Sequence, residues 1–147
     1  MKIRELTAPL EAWAPLSLQE DYDNCGLQLG DPEAEVDAAM VCLDCTEAVV
    51  EEAAAKGCGI IISHHPVIFR GLKSLVAKSH VERTVLSAIK HDIALYAIHT
   101  NLDNVIDGVN GEIATRLGLK SLRVLAAKSG QLRKLVVFVP HAHAEAV

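Results

Sequence analysis

His64 and His65 stand side by side one residue (Ser63) after the apolar run Ile60-Ile61-Ile62, and His99 directly follows Ile93-Ala94-Leu95-Tyr96-Ala97-Ile98. Asp103 lies four residues beyond His99. Both runs have the length and composition of short buried strands. The spacing therefore predicts two histidine groups just past the carboxyl ends of two strands, the edge at which open α/β sheets bind ligands. If those strands are neighbours, all four side chains meet in one crevice. Imidazole and carboxylate suit zinc, iron, manganese, nickel or cobalt. Adjacent histidines point apart on a regular strand, but at a strand end each can serve a different ion. Two ions roughly 3.5–4 Å apart can jointly activate water for hydrolysis, and a His-His pair fits that arrangement better than a single ion. A lone histidine at a strand end is ordinarily a polar residue entering a loop. The repetition at two matching strand ends is what points to a metal.

The elements that must position these residues can be read from periodicity and caps. Ile3, Leu6, Leu10 and Trp13 recur at helical spacing over residues 3–14. Pro9 disturbs that pattern, and a later start with Thr7 as N-cap accommodates it equally well. A polar loop is expected from Ser17 to about Asp37, then a buried strand over Ala38 to Leu43. Thr46 caps a helix that runs through Lys56 and ends at Gly57. Gly59 to Ile62 reads as a strand stopped by Ser63-His64-His65-Pro66. Ser79-His80-Val81-Glu82 is a capping box opening a helix to about His91. Ile93 to Ile98 is the next strand, followed by a helix that Asp107 or Asn110 caps and Gly118 closes. Leu122 to Ala126 and Leu135 to Val139 read as two more strands around a turn at Lys128-Ser129-Gly130-Gln131. Strands alternating with helices imply crossover units and an α/β three-layer sandwich with a mostly parallel or mixed sheet. Pro140 suits the first turn of a new helix, which stops about two turns in at Val147. A truncated chain is the expectation.

Composition narrows the function classes. The 147 residues are 50% hydrophobic, enough for one domain with a real core. The net charge of −5, with the basic residues scattered and no basic tract, argues against a partner bound through its phosphate backbone. The charged start Met1-Lys2-Ile3-Arg4-Glu5 is unlike a secretory leader. No apolar run approaches the roughly 20 residues that span a bilayer. A soluble, cytoplasmic protein is expected, with no membrane partner. Cys42 and Cys45 make a CxxC without the second pair a zinc site wants, so they read as cysteines buried beside a strand. Asp23 and Asn24 suit either contacts to the site or ordinary turn chemistry beside a glycine. His80 and His91 flank a helix and need no function. His141 and Glu145 are four apart, as on any helix surface. Gly57-Cys58-Gly59 lacks a P-loop lysine.

Three segments together resemble the GTP cyclohydrolase 1 type 2 family, also called Nif-three-like. They are Asp23-Asn24-Cys25-Gly26-Leu27-Gln28-Leu29-Gly30, Ser63-His64-His65-Pro66-Val67-Ile68-Phe69, and His99-Thr100-Asn101-Leu102-Asp103-Asn104 continuing to Gly108-Val109-Asn110. Their order and separation match as well. The resemblance covers essentially the whole chain. It implies that His64, His65, His99 and Asp103 surround two divalent metal ions. It also implies a His and a Glu four residues apart from a second lobe, which has no counterpart here. On that basis residues 1–132 are the N-terminal metal-binding α/β lobe of a normally two-lobed protein. Residues 133–147 begin a further strand-helix unit resembling the family's inserted domain. The implied partner is a second copy of the chain, in a toroidal homohexamer. The implied activity is that of a metal-dependent hydrolase acting on GTP or a related nucleotide or phosphoester. The alternative is a non-enzymatic metal-binding assembly or regulatory protein. A family label does not fix a substrate.

Overall fold

The computed structural model describes residues 1–127, 136–140 and 143. Helix α1 (Ile3–Trp13) leads through a single 3-10 turn (Leu16–Leu18) to strand β1 (Gly26–Leu29). Strand β2 (Ala39–Asp44), helix α2 (Glu47–Ala55), strand β3 (Ile60–His65), helix α3 (His80–Lys90) and strand β4 (Ala94–Ala97) follow. Helices α4 (Thr100–Asp103) and α5 (Val109–Arg116) complete the order. The sheet runs β1-β4-β3-β2, with β2, β3 and β4 parallel and β1 antiparallel to β4. This is the mixed α/β sheet that the sequence implied.

The sheet is clothed on both faces. Val50 and Ala53 of α2 and Val85 and Ala88 of α3 pack with Ile61 and Leu95 on one side. Ile3 of α1 packs with Ile60, Ile62, Ala94 and Tyr96 on the other. The alternation along Ile60-Ile61-Ile62 sends successive side chains to opposite cores, which is why a continuous apolar run is needed there. Tyr96 and Ile61 are essentially inaccessible to solvent.

Several caps behave as the residue types predict. The Thr46 hydroxyl accepts from the Val49 amide at the start of α2, and Gly57 takes a left-handed φ of +69° just past its end. The Ser79 hydroxyl accepts from the Glu82 amide at 3.1 Å, while the Glu82 carboxylate reaches back to the Val76 and Lys78 amides. Helix α1 keeps its early start despite Pro9 in its interior. Burial of Ile3 and Thr7 offsets the missing amide hydrogen bond.

Other expectations are corrected. The polar stretch from Ser17 to Asp37 is no mere loop: it contains the 3-10 turn and β1, whose ladder partner β4 lies some seventy residues on. Strand β2 is an edge strand, not a buried one; its outer face leaves Val41 and Leu43 exposed. Gly108, not Asp107 or Asn110, is the N-cap of α5. A side chain at Gly108 would collide with the Leu102 carbonyl, so the close approach of α4 and α5 requires a glycine there. Residues 122–126 and 136–139 form no strand: they are mostly exposed and pair with nothing in the described sheet. Leu135, the predicted turn at 128–131, the boundary at 132/133, His141 and Glu145 lie outside the described residues.

Candidate metal centre

Strand β3 does not stop before its histidines; His64 and His65 are its last two residues. The β3–β4 ladder ends at the pair Ser63–Ala97, whereas the β2–β3 ladder continues to Asp44–His65. The end of β3 thus projects past β4, where the Ser63 hydroxyl donates to the His65 carbonyl at 2.8 Å. That local fold lets two adjacent side chains approach the same space. Beyond β4, His99 is the N-cap of α4. The buried Asn101 side chain fixes this turn, accepting from the His99 amide at 2.9 Å and donating to the Ala14 carbonyl at 2.7 Å.

The three imidazoles form a cluster. Ring centroids lie 5.0 Å (His64–His65), 5.1 Å (His64–His99) and 5.4 Å (His65–His99) apart. One potential ligand nitrogen from each falls within 4.8 Å of those of the other two. Asp103, at the end of the single turn α4, brings Oδ1 to 3.9 Å from His64 Nε2. That is too long for a hydrogen bond. It is within the roughly 4.2 Å that two ligands can span across one ion at about 2.1 Å each.

Each Nδ1 is already engaged. His64 Nδ1 lies 2.9 Å from the Ile98 carbonyl, His65 Nδ1 2.7 Å from Asp44 Oδ1, and His99 Nδ1 3.0 Å from both oxygens of Asp23. A carbonyl or carboxylate oxygen can only accept, so each neutral ring carries its proton on Nδ1 and leaves the Nε2 lone pair free. Carboxylate or carbonyl support on one nitrogen is how metal-binding histidines are commonly oriented. The donor set therefore fits a divalent cation.

Asp23 is the most heavily bonded of these supports. Its side chain is fully enclosed. It accepts from His99, from the Thr100 hydroxyl by a short contact, from the Thr100 amide at 3.1 Å and from the Cys25 thiol at 3.1 Å. Burial alone would raise its pKa, but the hydrogen bonds from His99, Thr100, Cys25 and the Asn24 amide outweigh it. The carboxyl is held well below the usual carboxylate range. Burial pushes the Cys25 thiol up, which suits a donor rather than a nucleophile. Of the pair, Asp23 contacts His99, whereas the Asn24 side chain donates to the Ile68 carbonyl and its amide closes a local turn onto Asp23.

Asp44 escaped the sequence reading. It sits inside the CxxC segment, and the signal that could have found it is the parallel register of β2 against β3, which sets Asp44 beside His65. The cysteines flanking it pack against the α2–α3 core, partly buried, and all four cysteines are free. His91 is the C-cap of α3 and pairs with Glu51 at 3.2 Å. His80 opens the same helix. Neither belongs to the cluster. An open apolar cavity of about 540 Å³ between Trp13 and Ile113 includes none of the four candidate ligands.

The structure is thus a mixed-sheet α/β fold with a tri-histidine cluster at the carboxyl edge of its parallel strands. The chain belongs to the Duf34/NIF3 (NGG1p interacting factor 3) family, whose sequence pattern matches residues 1–145. It is similar to the GTP cyclohydrolase 1 type 2 homolog of Clostridium acetobutylicum, 39% identical over 134 residues, covering 91% of this chain and 50% of that protein. The protein of the same name from Halalkalibacterium halodurans is 44% identical over 138 residues, covering 93% of this chain and 37% of that one. A solved Bacillus cereus protein related to NIF3 superposes with a TM-score of 0.81 at 38% identity, over 87% of this chain and 35% of that chain. The chain thus spans half or less of the length of these relatives. Among the described residues, no helix is long and apolar enough to cross a membrane.

Proposed function

We propose that this chain is the metal-binding lobe of a metal-dependent hydrolase, with His64, His65, His99 and Asp103 as ligands to two divalent ions. The observation that carries the reading is that all three imidazoles have Nδ1 tied to an acceptor and Nε2 left free. Divalent ions held there would supply Lewis-acid stabilisation of the charge that develops when water attacks phosphorus or an electrophilic carbon. Within the chain, Asp23, Asp44 and the Ile98 carbonyl orient the rings, and Asp103 adds negative charge to the ligand set. The relatives' name supports GTP, or a related nucleotide or phosphoester, as the substrate to try first. Four side chains fall short of the roughly eight positions that two ions need, so water or groups beyond this set complete the coordination. The apolar residues left exposed on β2 support self-association, and the family resemblance supports a ring.

The test is a hydrolysis screen of GTP and simple phosphoesters with Mn²⁺, Zn²⁺, Fe²⁺, Ni²⁺ or Co²⁺ added, run beside elemental analysis. Metal-dependent turnover that His65→Ala abolishes is the expected result. Tight metal binding with no turnover on any of these substrates would overturn the hydrolase and leave a metal-binding assembly. Light scattering on the same sample reads the oligomeric state, and a monomer would contradict the ring.

A further inference from the structure

Cys42 and Cys45 stand on either side of Leu43 and Asp44. Cys42 is inside strand β2, and Cys45 lies between the strand's last ladder pair, Asp44–His65, and the α2 N-cap Thr46. Both are free, partly buried and packed against the core beneath α2 and α3. Their side chains meet in a hydrogen bond. Cys45 donates to the Cys42 sulfur, which holds the Cys42 thiol below its usual range against burial and the nearby Asp44 charge. The same bond, together with burial, pushes the Cys45 thiol up. In disulfide exchange the more readily ionised thiol attacks, and a neighbouring thiol resolves the mixed disulfide. The other two cysteines are placed differently: Cys25 donates to Asp23, and Cys58 is buried.

The surroundings let this pair close, and they set what closure would move. Strand β2 is at the sheet edge, with a ladder to β3 alone. A disulfide brings its two Cα atoms to within about 7 Å, whereas three steps of extended strand cover about 10 Å. Closing the bridge therefore bends the Leu43-Asp44 segment. The Asp44 carboxylate is largely exposed and is held by His65 Nδ1 at 2.7 Å. Asp23 and His99 flank β1 and β4, the other half of the sheet, and lie outside the bent segment.

We infer that Cys42 and Cys45 are a disulfide-forming pair, and that their oxidation by a small-molecule disulfide frees the His65 ring from Asp44. The Cys42 thiolate attacks one sulfur of the disulfide RSSR, forms a mixed disulfide and expels RS⁻, which takes up the proton Cys42 released. The Cys45 thiolate then attacks the Cys42 sulfur, forms the Cys42–Cys45 bond and expels the second RS⁻, which takes up the Cys45 proton. Two cysteine thiols are oxidised and RSSR is reduced to two RSH, so atoms and electrons balance. An excess of thiol reverses both steps.

The 147-residue chain, metal-free and ¹⁵N-labelled at histidine, is equilibrated with oxidised glutathione to test this. Free thiols counted after denaturation should fall from four per chain to two, with no glutathione adduct in the intact mass. Peptide mapping should place the bridge between Cys42 and Cys45. Cys45→Ser should stop at a glutathione adduct on Cys42, and Cys42→Ser should react more slowly and form no bridge. In the bridged chain the His65 ring resonances should move toward those of the reduced Asp44→Ala variant, while those of His99 stay in place. Dithiothreitol should restore both the thiols and the spectrum. Retention of all four thiols, adducts on Cys25 or Cys58 in place of the bridge, or a bridge that leaves His65 unmoved would each overturn the inference. So would a bridge in Asp44→Ala that shifts His65 as far as it does in the parent chain, since the effect would then bypass Asp44. Neither readout needs a metal ion, so failure of the proposed metal centre leaves this result standing.

Discussion

The His99 side of the cluster is enclosed and bonded from every direction, whereas the His65 side opens to solvent. Both rings use the same device, a carboxylate on Nδ1. Yet the Asp23 side chain is 0% exposed and accepts from five donors, while that of Asp44 is 63% exposed and pairs with His65 at 2.7 Å. The inner carboxylate is thus held by the fold, through the turn at Thr100 and the start of β1. The outer one is held chiefly by strand register. Water can replace an exposed acceptor with little loss, but a buried set of donors stripped of its acceptor stays unsatisfied. The same carboxylate–histidine contact should therefore carry different weight on the two sides.

Four substitutions probe that contrast, with Zn²⁺ affinity read by calorimetry and stability by denaturant unfolding. Asp103→Ala removes the proposed anionic ligand and should lower affinity beyond the roughly 10–100-fold that loss of a ligand's supporting partner causes. Asp23→Ala should approach the upper end of that range. It should also destabilise the chain by about 1–3 kcal/mol or more, because the Thr100 hydroxyl and amide and the Cys25 thiol all lose their acceptor. Asp44→Ala should fall near tenfold, with stability changed by no more than about 0.5 kcal/mol, as at other exposed positions. Equal losses at Asp23 and Asp44 would break the comparison. Cys25→Ser, which keeps a donor to Asp23, should shift either quantity least of the four. His80→Ala and His91→Ala serve as controls with unchanged affinity, and a loss at either would mean the site is misplaced.

The candidate histidines were legible because each group lies just past an apolar run, and the runs were legible because a strand buried on both faces must be continuously apolar. Thr46, Gly57 and Ser79 were legible as caps for equally local reasons. Features created by distant partners were not. Strand β1 is four residues long in a polar stretch and exists because β4 offers a free edge. The turn α4 depends on Asn101 reaching back to Ala14. Asp44 becomes a partner of His65 through register alone. Conversely, Leu122 to Ala126 has strand-like composition, but apolar residues without a neighbouring strand do not make a ladder. The paired support of His99 and His65 is the part of the site that sequence patterns could not rank, since it depends on how deeply each carboxylate sits.

Metal binding at this cluster requires that His64, His65 and His99 each hold a proton on Nδ1 and offer Nε2 to a divalent ion. Long-range ¹H–¹⁵N correlation spectra of the histidine rings, recorded before and after addition of Zn²⁺, report this directly. The expected result is the Nδ1–H tautomer for all three rings in the metal-free chain, and a coordination shift at Nε2 of all three on titration, with His80 and His91 unmoved. Rings protonated on Nε2, or spectra in which Zn²⁺ leaves these three histidines unchanged, would contradict it.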